Sequence, residues 1–158
     1  MKKLLVALGL GLLMPPAQAM DERTAVRVAR LYSEAVACQL EAAHYQAAEV
    51  TAGDATLDGL GAIHVVYWQG DLGCAGGSGT VLPNFTVLEH RGLRSTSPIV
   101  VTDYPFPELD LRYVDRISSN NGELHITGVR YGPDDAHNAP TEKVSYRVGF
   151  DGARFFTR

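Results

Sequence analysis

The sequence predicts an α+β domain, with one long N-terminal helix packed on a mainly antiparallel sheet of six or seven strands. Three observations carry that prediction. The stretch from Asp21 to Val50 is free of Gly and Pro and rich in Ala, Leu, Glu, Arg and Gln, the composition of a helix. Beyond Gly61 the apolar period switches to alternation, the mark of strands. Asn121-Gly122 and Asp151-Gly152 each fall between two apolar runs, where such pairs favour hairpin turns.

Ahead of the helix, Met1-Lys2-Lys3 is a basic start, Leu4 to Met14 an uncharged apolar run, and Ala17-Gln18-Ala19 a small-x-small cleavage site. Residues 1–19 therefore read as a secretory signal peptide. The apolar run is about eleven residues, short of the roughly twenty that span a bilayer. No cysteine follows Ala19 directly, so neither a lipid anchor nor any other stable membrane anchor is expected. Residues 20–158 are expected to form a single domain that works in the periplasm or is secreted.

Within that domain Asp21 is the expected helix cap. Val28, Leu31, Ala35, Cys38, Ala42 and Tyr45 recur at three- and four-residue spacing, so the helix is expected to bury them as one stripe, Cys38 included. It is expected to end at Gly53-Asp54, with residues 54–61 as a loop. AIHVVYWQ then alternates Ile63, Val65 and Tyr67 against His64, Val66 and Trp68, a strand buried in part on both faces. VLPNFTVLEH is a second strand, whose Pro83 belongs at a sheet edge or bulge. Ile99-Val100-Val101 is a short third. LDLRYVDRIS and ELHITGVRY flank the Asn121-Gly122 turn, and KVSYRVGF and ARFFT form a terminal hairpin. Val144, Tyr146, Val148 and Phe150 give that hairpin one apolar face.

Composition excludes some functions. With Lys2 and Lys3 removed from 14 basic residues against 18 acidic ones, the exported chain carries a net charge of −6. No cluster of Lys and Arg stands out, so nucleic acid is not an expected partner. Cys38 and Cys74 are the only cysteines, and in an oxidising compartment two cysteines are expected to form a disulfide.

The stretch Tyr67-Trp68-Gln69-Gly70-Asp71-Leu72-Gly73-Cys74-Ala75-Gly76-Gly77-Ser78-Gly79-Thr80 comes closest to a functional motif. It lacks the lysine of a P-loop and leads into a strand, not a helix. It also lacks the second glycine of a G-x-S-x-G nucleophile turn, since Thr80 stands there. What remains is a glycine-rich loop fixed to its surroundings by Cys74. A loop so tethered can enter a partner's cleft at low entropic cost. Trp68, Asp71, Gly76, Gly77 and Ser78 are accordingly the candidate binding residues.

The remaining motifs are weaker. His44, His64, His90, His125 and His137 show no metal-ligand spacing, so no metal or cofactor is expected. Antiparallel pairing would be needed to bring His90 and His125 together with Asp103 or Asp110. Asp134-Asp135 does not match a calcium loop. Asn84-Phe85-Thr86 satisfies the glycosylation pattern but lies inside a strand. No catalytic residue is assigned.

A small, exported, acidic, disulfide-linked domain of this kind has the character of a protein-binding module, such as an inhibitor or immunity protein acting on an envelope or cell-wall enzyme. Two alternatives stay open. One is a structural component of an envelope assembly that binds through a sheet edge. The other is a small hydrolase or ligand-binding domain whose site converges only in three dimensions.

Overall fold

The computed structural model describes residues 20–41, 44–77, 79–92, 97–136 and 139–158. The signal-peptide segment, Ala42, Ser78 and His137 lie outside them. Among the described residues one α-helix, α1 (Glu22–Val36), precedes nine strands: β1 (Gln39–Leu40), β2 (Gln46–Thr51), β3 (Ile63–Asp71), β4 (Leu82–Glu89), β5 (Ile99–Val101), β6 (Tyr113–Asn120), β7 (Glu123–Arg130), β8 (Glu142–Phe150) and β9 (Phe155–Thr157). The fold is α+β, but the strands divide into two antiparallel sheets instead of one. The first has the order β1-β3-β4-β5, with β2 sharing β1's side of β3, and the second has the order β6-β7-β8-β9.

The sheets face each other across the main core. Ala48, Val65, Tyr67 and Val87 of the first meet Ile117, Leu124, Ile126, Val148 and Phe155 of the second. The outer face of the first sheet is covered by α1 through Ala25 and Ala29, which pack with Met20, Ala62, Val66 and Leu88. Helix, sheet and sheet thus form three layers. β3 lies in the middle and is buried along its whole length, which explains why its sequence is apolar on both faces.

Two expectations about the helix need correction, its end and its buried stripe. Asp21 does cap α1, accepting from the Thr24 amide at 2.7 Å, but the helix stops at Val36 and residues 46–51 are a strand. No Gly or Pro stops it. After Val36 the Cys38 amide donates to the Asp71 carbonyl and the Glu41 amide to the Gln69 carbonyl, so the edge of β3 captures the chain. Beyond that point Ala48 and Val50 turn into the core at a two-residue period, a pattern that Ala-rich sequence does not distinguish from a helical one. The buried stripe also differs. Ala25, Ala29 and Ser33 face the sheet, while Leu31 is 63% exposed and Cys38 is exposed. Small side chains are what allow α1 to approach the sheet closely.

Both predicted hairpins are present. Asn120 pairs with Glu123 across Asn121 and Gly122, whose φ angles of 50° and 78° are those of a primed two-residue turn. Phe150 pairs with Phe155, and the Asp151 carboxylate accepts from the amides of Ala153 and Arg154, both at 2.9 Å. Val148 is fully buried, with Val144, Tyr146 and Phe150 packed beside it.

Candidate functional site

The glycine-rich loop leaves the end of β3 and returns as β4. Its base is set by close approach. At Gly70 a Cβ would lie 2.7 Å from the Trp68 ring and 2.9 Å from the Gln39 carbonyl oxygen, so β1 can cross there only over glycine. The next residue, Asp71, is 2% exposed. One of its carboxylate oxygens accepts from the Gly76 amide at 3.0 Å and from the Thr80 hydroxyl at 2.8 Å. The Gly76 bond first, and the Thr80 bond after it, hold the carboxyl below the usual aspartate range. Asp71 therefore joins the two halves of the loop from beneath.

A disulfide between Cys38 and Cys74 ties the same loop to the end of α1, with the Cα atoms 5.2 Å apart. Cys74, Gly76 and Gly77 all have positive φ, a conformation that glycine adopts without steric cost. Above this double anchorage, residues 72–77 are exposed without a break, and Leu72 presents 49% of its surface. The loop is a doubly anchored prominence with one large apolar side chain and a run of accessible backbone.

The candidate binding residues separate accordingly. Gly76 and Gly77 lie on the exposed tip, Asp71 is buried beneath it, and Ser78 lies outside the described residues. Trp68 is only 1% exposed, and its indole N–H donates to the Thr86 hydroxyl at 2.8 Å. It packs as core under α1, and a role as an exposed anchor does not fit that position. Leu72 was not picked out by sequence reasoning, because a lone leucine in a loop gives no sign that it will be left uncovered.

His90 and His125 are not brought together. His90 follows β4 in the first sheet and His125 lies on β7 in the second, so no strand pairing brings them together. His125 is 3.4 Å from Glu123. His64 is 1% exposed with no hydrogen-bond partner for Nδ1 among the described residues, its Nε2 lies 3.9 Å from Glu49, and burial lowers its pKa. Asp110 is paired with Arg130. Among the described residues, no three His, Cys, Asp or Glu side chains are grouped to hold a metal.

The β7–β8 register creates a charged cluster around Glu123 that was not foreseen from the sequence. It sets His125 opposite Arg147, and Glu123 receives Arg147 at 2.7 Å and Arg158 at 3.2 Å. The Arg147 hydrogen bond, followed by the charges around it, lowers the Glu123 pKa. One carboxylate thus faces two guanidinium groups, so the cluster keeps an excess of positive charge.

In comparisons with known proteins, no family model, curated protein or solved structure matches the chain. No helix among the described residues is long and apolar enough to cross a membrane. The disulfide is compatible with an extracellular location.

Proposed function

We propose that this chain is an exported protein-binding module, periplasmic or secreted, which acts on an enzyme of the cell envelope as an inhibitor or immunity-type protein. The observation that supports this reading is the Gly70–Thr80 loop: a continuously exposed tip whose shape is held by a buried carboxylate and a disulfide. Binding by such a loop loses little conformational freedom, so more of the contact energy is retained as affinity. Leu72 supplies the apolar contact, and the surrounding glycines let a partner approach the backbone.

The test uses the exported chain as bait in an envelope extract, followed by assay of the captured enzyme with and without it. The informative variant is Gly79→Arg. Substitution at Gly76 or Gly77 is confounded by their φ angles of 68° and 142°, which side chains resist. Gly79 has ordinary φ and no atom within 4 Å of an added Cβ, so an arginine there projects into solvent without disturbing the fold. Capture is expected to fall about tenfold or more, the effect of obstructing a contact worth roughly 1.4 kcal/mol, with an unchanged melting temperature. Undiminished capture by Gly79→Arg would remove the loop from the contact surface.

A further inference from the structure

We infer that the open stretch of β4 receives an extended, uncharged segment of the partner, which adds to the five-stranded sheet in line with β5. This rests on the protein-binding reading above and specifies the chemistry of what is bound. β5 pairs only with Val87–Glu89. The preceding residues, Leu82–Thr86, have β3 on one side and, among the described residues, no strand on the other.

Alternation decides which backbone groups that leaves. The amides of Cys38 and Glu41 donate to the carbonyls of Asp71 and Gln69, so the odd-numbered residues of β3 turn their backbone groups toward β1 and the even-numbered ones toward β4. Trp68 with Asn84 and Val66 with Thr86 are then hydrogen-bonded pairs. The N–H and C=O of Phe85 and the C=O of Pro83 face outward. Pro83 sits where its missing N–H disrupts no pairing, and it ends the usable edge. Among the described residues, no backbone group bonds to these three outward atoms. An amide and two carbonyls in a row are satisfied together by another extended backbone.

The surroundings define the side chains that such a segment carries. A cleft of about 250 Å³ runs along this edge, with Tyr32, Leu72 and Trp68 among its lining on the α1 face and Tyr104 and Phe106 on the inter-sheet face. Phe85 stacks on Phe106 with ring centroids 4.7 Å apart. Among the described residues no charged one lines the cleft, so a charged side chain entering it would lose water and find no partner among them. Successive side chains of an added strand point to opposite faces, and here they meet aromatic and aliphatic groups with the neutral polar side chains of Asn84, Thr86 and Thr102 among them. The edge lies recessed between α1 and the segment after β5, which favours one extended chain over the rim of a second folded sheet. Leu72 belongs to both the cleft and the exposed loop, so the two surfaces are continuous.

The experiment measures amide hydrogen exchange and Trp68 emission of the exported protein. The probes are a panel of capped six-residue peptides, either alternating valine and isoleucine with terminal lysines for solubility or carrying central aspartates. The apolar peptides are expected to slow exchange at Phe85 about tenfold or more, leave Thr86 unchanged, and shift the emission of Trp68, whose indole is bonded to Thr86. N-methylation of the peptide amide that donates to the Phe85 carbonyl is expected to abolish this, while methylation one residue away is tolerated. Unprotected Phe85 with every peptide at millimolar concentration, equal effects of both methylations, or equal binding of the aspartate peptides overturns the inference. Those outcomes are independent of Gly79→Arg. Loss of capture by that variant with Phe85 unprotected leaves the loop reading intact, whereas protected Phe85 with undiminished capture moves the contact from loop to edge.

Discussion

Two turns at the surface of this protein are held in different ways. The connection from β6 to β7 is specified by its own two residues, Asn121 and Gly122, whose positive φ angles turn the chain back at once. The connection from β3 to β4 also uses positive φ, at Cys74, Gly76 and Gly77, yet its path is set from outside by Cys38 and from below by Asp71. A turn that merely joins strands needs only local chemistry. A loop that must keep a shape in solvent needs groups brought to it by the fold, and those groups can be removed one at a time while the sheets remain.

The largest expected effect of breaking this contrast comes from the disulfide. It spans a sequence separation of 36 residues, for which the chain-entropy model gives about 3.5–4 kcal/mol as an upper figure. Replacing both cysteines with Ser is expected to lower unfolding free energy toward that value in urea titrations, and to loosen the loop more than the β6–β7 hairpin. A loss smaller than about 1 kcal/mol would show that Asp71 and the β1 pairing already confine the unbridged chain.

A smaller effect is expected at the locally specified turn. Gly122 has φ 78° and an added Cβ would sit 3.2 Å from the Val50 carbonyl oxygen. Gly122→Ala is therefore expected to cost about 1–2 kcal/mol, measurable as a reduced urea midpoint with an unchanged slope. Exchange in the glycine-rich loop should not respond. If it does, the two turns are coupled through the core and the contrast between them fails.

The same division explains what could be read in advance. Asn121-Gly122 and the alternation of β3 are local signals, so the hairpin and the central strand were legible. The pairing of Cys38 with Cys74 was legible from their number and from the expectation of export. The fate of residues 37–51 was not, because nothing in Gln39 to Val50 disfavours a helix, and the strand forms only when β3 supplies an edge. Leu31 was expected on the buried stripe because it is apolar, whereas the sheet selects Ala25, Ala29 and Ser33 for their size. The division into two sheets depends on β5 and β6 not pairing, and apolar alternation says nothing of which strands are neighbours. At the candidate site, glycine spacing marked the loop. The role of Asp71 depended on a carboxylate turned inward at the end of a buried strand, which no spacing announces.

The smallest expected change in global stability comes from Asp71→Asn, and it separates the two turns most cleanly. Hydrogen bonds from Gly76 and Thr80 keep the folded-state pKa of Asp71 below its usual value of 3.8, so the carboxylate is the form that the loop prefers. Its stabilising contribution is present above that usual value, which the unfolded chain retains, and is lost as the pH falls through the lower folded pKa. In the wild-type protein the Gly76 amide resonance is expected to titrate with a midpoint below 3.8, while the Asn121 amide does not follow that transition. Asparagine occupies nearly the same space but carries no charge, so Asp71→Asn should abolish the titration. It should also speed amide exchange at Gly76 by on the order of tenfold, since a charge-assisted acceptor is replaced by a weaker one. The β6–β7 hairpin should exchange as before. Should Gly76 show no titration, or keep its protection in the variant, the disulfide alone would hold the loop, and the buried carboxylate would have no part in shaping the tip.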